Sequence, residues 1–364
     1  MMSIPLADVR PGLKIANHVY TPLGGLLLQK GKVLLPRDLD ILRAFLVTHV
    51  EVDEPPVMGR GDSTNSSAVD KSKPAAVSTS ELESSPIGDL HKEYDRMLLL
   101  TKNAFQSVLA AELPIYELRN QLEALIKQLK NYNILTFMPR NHKEYDYLYH
   151  NAILSALTSY QLAGWHGLPQ KDWMQVAFAG LLHDIGNTRI DPQILFKAEP
   201  LTEAERDEMR MHTTYGYQQL RKTSAINEGV RLTALQHHEK MDGSGYPFHL
   251  AGEKIHIYAR IVAVADIFHA MTLNRAYRPA VSPYLVLEQI KSESFGKLDP
   301  SIVQTFVDKA TQFHNGTRIR LSNNQIGEIV FSDRNHPTRP MVSVQDKIIN
   351  LVQETNLYIE EVLT

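Results

Sequence analysis

The run His237-His238-Glu239-Lys240-Met241-Asp242-Gly243-Ser244-Gly245-Tyr246-Pro247, standing downstream of the doublet His183-Asp184, concentrates the residues of this chain that can do chemistry. Adjacent imidazoles are costly packing units, because each has two ring nitrogens that need partners and each tends to charge near neutral pH. Metal ions supply those partners. The Gly-x-Gly that follows leaves a backbone free to approach a ligand closely, and Pro247 fixes the exit of the turn. The chain has no cysteine, so disulfides, thiolate zinc sites and Cys nucleophiles are excluded, and a metal must be held by His, Asp, Glu, Asn or water. Nitrogen and carboxylate donors without sulfur suit Fe, Mn or Zn better than Ca or Mg, which prefer all-oxygen shells.

Two apolar segments must deliver the carboxylates. Trp173 to Leu182 is nearly all apolar or small, which predicts a buried helix carrying His183-Asp184 at its C-terminal end, and Ile261 to Ala265 is a second apolar run ending in Asp266. Both belong to a stretch from about 87 to 315 in which apolar residues recur at helical spacing, for example Leu118, Leu122, Leu125, Ile126 and Leu129. Residues 1–54 read instead as a small β-rich module with one helix near Pro36 to Val47. Residues 55–86, rich in Ser, Pro, Ala and Thr, read as a disordered linker, and residues 316–364 as a small β segment with an Asn323-Asn324 turn. Periodicity alone does not decide whether the two ends form one unit. The expected fold is mainly α, a helical bundle with small β segments at the N- and C-termini.

The formal net charge of −3 offers no global field for polyanions, so an anionic ligand must be recruited locally and a nucleic-acid-binding surface is not expected. No apolar stretch reaches the roughly 18 to 20 residues that span a bilayer, and the N-terminus lacks a basic segment before an apolar core. A soluble, cytoplasmic protein without a membrane partner is the expectation.

Taken together, His183-Asp184, His212 in His212-Thr213-Thr214-Tyr215-Gly216, the His237 to Pro247 run and Asp266 resemble the HD-GYP family, the subgroup of HD-domain phosphohydrolases that opens and degrades cyclic di-GMP. The resemblance covers residues 120–315. It implies an HD-domain helical bundle and two divalent transition-metal ions held by His183, Asp184, His212, His237, His238 and Asp266, with Asp184 bridging them. Two such cations can activate water and neutralise phosphoryl oxygens, so no Ser or Cys nucleophile is required. Arg275 and Arg278 match phosphate-binding positions, and two guanidiniums three residues apart can share a helix face. Gly243, Gly245 and Tyr246 would cover the guanine-phosphate part of the ligand.

Departures from the family pattern bear on the same site. Its first ligand His falls on Asn151, with a His beside it at position 150. Either Asn151 ligates weakly through its amide oxygen, or the helix shifts and His150 ligates, or this corner stays open, because adjacent helical residues point about 100° apart. Tyr147 stands where some members place a Glu that supports a third metal. Asn187 replaces a Lys that binds phosphate, and with Asp184 it makes up the expected catalytic pair. His269 replaces an Asp one turn after Asp266. The implied activity is hydrolysis of cyclic di-GMP to pGpG, with GMP as a further product left open. The alternatives are a catalytically degenerate cyclic di-GMP or protein-interaction receptor, or a phosphohydrolase of another nucleotide such as a related cyclic dinucleotide. A homodimer or a signalling protein partner also stays open.

Overall fold

The computed structural model describes residues 2–6, 9–20, 26–35, 38–39, 42, 47, 49–53, 86–140, 143–274, 279–312 and 315–363. The expected linker therefore lies outside the described residues except for Pro86, which opens a helix. Of the helix expected near Pro36 to Val47, only Asp38, Leu39, Leu42 and Val47 are described, the first three in helical conformation. The chain divides into two compact units, residues 1–76 with 313–357 and 363, and residues 77–312 with 358–362 and 364.

The first unit joins the two ends of the sequence. Strand β1 (Met2–Pro5) pairs antiparallel with β4 (His49–Val52), and β2 (Val19–Tyr20) with β3 (Leu26–Leu28). The C-terminal segment forms β5 (Arg318–Leu321), β6 (Ile326–Phe331), β7 (Met341–Val344) and β8 (Lys347–Asn350), an antiparallel meander in spatial order β8-β7-β6-β5. Between β7 and β8, Gln345 and Asp346 both take positive φ, 46° and 63°, the twist that a two-residue hairpin turn demands. Ile15, Leu34, Leu42, Val50 and Val52 share one buried cluster with Val330, and Phe331, Met341 and Ile348 pack against it. The terminal segments, given separate ranges from sequence, thus bury their apolar faces on each other, because neither alone has enough strands to cover one.

The second unit is helical. Its elements are α1 (Pro86–Ser107), α2 (Ile115–Ile126), α3 (Tyr147–Trp165), α4 (Gln170–Leu182), α5 (Pro192–Leu195), α6 (Glu203–Arg210), α7 (His212–Arg221), α8 (Glu228–Gln236), α9 (Ile257–Thr272), α10 (Pro283–Glu293) and α11 (Pro300–Ala310). None is long and apolar enough to cross a membrane. α3, the C-terminal half of α4, and α9 are buried almost all round, which is what an unbroken apolar helix requires. Amphipathic helices surround them; α2, for instance, buries Leu118, Leu122 and Leu125 on one stripe. Start signals are local: Thr202 and Glu205 make a capping box on α6, Asn227 accepts from Val230 N on α8, and Asp299 accepts from Ser301 N on α11.

A single residue sets how closely the first His-Asp doublet meets α7. Asp184 leads into a 3₁₀ turn, Ile185–Arg189, whose Gly186 lies so near α7 that a Cβ there would stand 1.9 Å from His212 O and 2.5 Å from Gly216 N. Both obstacles are backbone, which cannot swing aside. We expect Gly186→Ala to lower unfolding stability by about 1–3 kcal/mol, the usual cost of overpacking. Gly216→Ala, whose Cβ would sit an ordinary 3.4 Å from Ala234 Cβ in a helix, should be nearly neutral. Urea denaturation midpoints of the two variants decide it; equal midpoints would contradict the close approach.

Candidate metal centre

Three histidines arrive in the same tautomer. His183, at the end of α4, donates its Nδ1–H to Gly180 O at 2.7 Å. His212, at the start of α7, donates to Met209 O at 2.6 Å, and His237, at the end of α8, faces Thr233 O and Ala234 O at 3.1 and 3.2 Å. A carbonyl accepts only from an N–H, so each Nδ1 carries a proton and each Nε2 is the nitrogen turned to the cluster. Those nitrogens converge on Asp184: its Oδ1 is 3.3 Å from His212 Nε2 and 3.6 Å from His237 Nε2, and its Oδ2 is 3.4 Å from His183 Nε2. The Nε2 atoms of His212 and His237 stand only 3.3 Å apart. Two acceptors aimed at each other at that distance call for a cation between them.

The donors form two groups that share Asp184. Asp184, His212, His237 and His238 can each offer an atom within 4.8 Å of the others, and so can His183, Asp184 and Asp266. Asn151 on α3 closes the second group: its amide Nδ2 donates to Asp266 Oδ1 at 2.7 Å, while its own Oδ1 is buried without a hydrogen-bond partner. An unpartnered buried oxygen beside a carboxylate fits a cation and little else. The residues present therefore suit a metal. Burial pushes Asp184 up, yet the neighbouring His183 more than offsets it and holds the carboxyl well below its ordinary range; against its own burial, His183 is raised well above its range by Asp184 and Asp266, so its Nε2 carries a proton at the place a cation would take. Burial pulls His238 well down, reinforced by His237 and His212, so it stays neutral, as a ligand must be.

His150 does not join them. Its Nδ1 is 2.9 Å from Tyr94 Oη and its ring stacks on that tyrosine, so the shifted-helix alternative fails; one residue along a helix turns the side chain about 100° away from the cluster. His269 is likewise engaged elsewhere, with Nε2 2.7 Å from Thr158 Oγ1 and burial pulling it down to about 3, a neutral core histidine.

The glycine loop also differs from expectation. Gly245 is buried against the backbone that carries the ligands, where a Cβ would lie 2.4 Å from Glu239 Cα and Lys240 N and 2.5 Å from His238 O. Glu239, itself buried, accepts from Phe248 N at 2.7 Å and Leu250 N at 3.0 Å and so folds the loop back. Gly243 takes φ +80°, and a Cβ there would lie 3.4 Å from His249 O. Gly245 thus packs the loop onto residues 238–240 and Gly243 turns it toward His249 and Ala251, and neither lines the cavity beside the donors. Tyr246 does line it, stacking on His238 at 4.8 Å with Arg210 over the ring at 5.5 Å.

Beside the donors opens a cavity of about 650 Å³. Asp184, Asn187, His212, His238 and Asp266 line it, and Phe196, Leu201, Met209, Ile267 and Met271 add an apolar lining that the sequence reading missed. Ile267 and Met271 are spaced like ordinary core residues, so no local signal separates them from packing. Asn187 is buried with its Oδ1 unpartnered, and Tyr147 also borders the cavity. Half-buried Lys240, also passed over, is pulled down by burial, with Asp266 opposing the shift. Arg275 and Arg278 lie outside the described residues.

His150 and His183 give a clean test of the metal assignment. We expect His183→Ala to lose bound metal, whereas His150→Phe keeps full metal content and costs only about 1–3 kcal/mol of stability by stranding the Tyr94 hydroxyl. Elemental analysis of the two variants after identical loading distinguishes them; metal loss in His150→Phe would reverse the placement.

Comparison with known proteins gives the family. The model of the HD domain family matches residues 118–302. A cyclic di-GMP phosphodiesterase of Pseudomonas aeruginosa is 30% identical over 216 residues, covering 59% of this chain and 52% of that protein. A 3′3′-cGAMP-specific phosphodiesterase of Vibrio cholerae is 29% identical over 197 residues, covering 50% of this chain and 38% of that one. The chain thus matches about half the length of the first relative and less of the second. Among solved structures, a protein of Bdellovibrio bacteriovorus titled HDG"Y"P superposes over 84% of this chain and 97% of that one, with a TM-score of 0.45 at 14% identity. With its His183-Asp184 doublet and its His237 to Pro247 run, the chain belongs to the HD-domain family, in the HD-GYP subgroup.

Proposed function

We propose that the protein is a metal-dependent phosphodiesterase that hydrolyses cyclic di-GMP to pGpG, using two divalent ions of Fe, Mn or Zn. The observation that carries this reading is Asp184, the one carboxylate common to both donor groups, standing at the edge of a cavity large enough for a nucleotide. His212, His237 and His238 would hold one ion, His183 and Asp266 the other, and Asn151 would offer its amide oxygen to the ion at His183 and Asp266. When bound, such a pair supplies Lewis-acid charge for the attacking water and the phosphoryl oxygens.

The chain's own residues do the remaining work. Backbone carbonyls fix the imidazole planes, so the donors need no reorganisation on ligand entry. Asn187, buried at the cavity wall, would donate its amide N–H to a phosphoryl oxygen in place of a lysine ammonium. A neutral donor stabilises developing charge less than a cation does, and removing one such interaction typically costs about 10²–10³ in rate. Slow turnover is the consequence. Arg275 and Arg278 would clamp a phosphate from the segment after α9.

Two measurements test the reading. Wild type loaded with Mn, Fe or Zn should bind two ions per chain and Asp184→Ala no more than one, by elemental analysis; unchanged content in the variant would remove the bridge. Under single-turnover conditions with cyclic di-GMP and mixed cyclic dinucleotides, wild type should cleave slowly and Asn187→Lys faster. If metal-loaded wild type binds a dinucleotide and neither protein cleaves it, the chain is a receptor. If only a mixed dinucleotide is cleaved, the substrate assignment changes and the reaction class stands.

A further inference from the structure

One wall of the cavity is built by a segment that the metal chemistry does not use. Residues 191–202 run between the 3₁₀ turn after Asp184 and α6, and they bring Leu195, Phe196 and Leu201 to the cavity. The segment is held firmly at both ends. Asp191 caps α5 by accepting from Gln193 N at 2.8 Å, and Phe196 N donates to Pro192 O at 3.0 Å. Immediately after Phe196, Lys197 Nζ reaches both carboxylate oxygens of Glu205 at 2.7 Å, and Glu205 also accepts from Thr202 N at 2.7 Å. Phe196 is nonetheless 53% exposed. A phenyl ring left half in water on a segment anchored at the very next residue is not filling a core; it is presented to the cavity.

We infer that Phe196 is a specificity-determining residue, an aromatic platform on which the base of a nucleotide stacks while its phosphate lies at the donor cluster. This deepens the reading above and rests on its phosphate site. The lining combines the two kinds of surface such a ligand needs. Asp184, His212 and His238 offer the polar, metal-binding end, and Phe196 with Leu201 and Met209 offers a surface that inorganic phosphate cannot use. Stacking tolerates any base because every base has a π-face, and truncating such a platform typically weakens binding about tenfold or more. The Lys197–Glu205 pair and the Phe196 N–Pro192 O hydrogen bond hold the backbone that carries the ring, which lowers the ordering cost of the segment at binding.

The test compares two probes on the full, metal-loaded chain by calorimetry: GMP, which carries a base, and inorganic phosphate, which does not. Phe196→Ala should weaken GMP about tenfold and leave phosphate unchanged. Phe196→Tyr should restore GMP binding, and Phe196→Leu, equally apolar but without a π-face, should not. Equal weakening of both probes would show a merely structural role, and GMP binding indifferent to Phe196 would overturn the inference, as would a wild type that does not distinguish GMP from phosphate. Cyclic di-GMP cleavage by wild type is scored separately. A chain that selects the base through Phe196 and cleaves nothing keeps this inference and loses the catalytic reading; an active chain insensitive to Phe196 does the reverse.

Discussion

Everything at this centre depends on lone pairs being forced together. Three imidazoles each spend their N–H on a carbonyl of their own helix or the turn just before it, leaving His183, His212 and His237 with acceptor nitrogens crowded around Asp184. That arrangement is unfavourable as a set of neutral contacts, and without a metal a proton on His183 relieves it. A cation turns the same crowding into coordination, so part of the binding free energy of the metal is also folding free energy.

Holding that crowd requires backbones to approach more closely than side chains permit. Gly186 lets the turn after Asp184 meet α7, and Gly245 lets the loop after His238 fold back onto residues 238–240. Glu239 shows the same logic in polar form. Flanked by the ligand His238, it turns away from the centre and spends both carboxylate oxygens on loop amides. The motif is therefore as much a device for shaping a turn as a set of ligands, and its glycines support the imidazole from behind.

Apolar burial provides the rigid frame. α3, α4 and α9 are enclosed on most sides, and each fully buried aliphatic side chain contributes roughly 1.5–3 kcal/mol. That surplus can carry the buried polar groups: His269 hydrogen-bonded to Thr158, His150 to Tyr94, and Asn151 to Asp266. The Asn151 amide oxygen left without a hydrogen bond lies beside a carboxylate of the donor cluster, where a cation is expected.

How much of this was legible in the chain follows from the range of each interaction. The apolar runs before His183-Asp184 and Asp266 determined two buried helices, because helical periodicity is a local property; His183 does stand at the end of α4, whereas α9 runs on past Asp266 to Thr272, since the residues that follow are buried as well. The residue types at 183, 184, 212, 237, 238 and 266 determined the donor chemistry. Local pattern could not say which way Asn151 and His150 face, since neighbours on one helix differ by about 100° and only packing against Tyr94 and Asp266 fixes the rotation. Nor could it show that Gly245 serves the loop, because the backbone it spares belongs to residues 238–240 folded back over it. The apolar wall of Phe196, Ile267 and Met271 was invisible for the same reason. A side chain reads as core or as cavity lining only once elements distant in sequence have met, and the space they leave between them is a property of the tertiary structure alone.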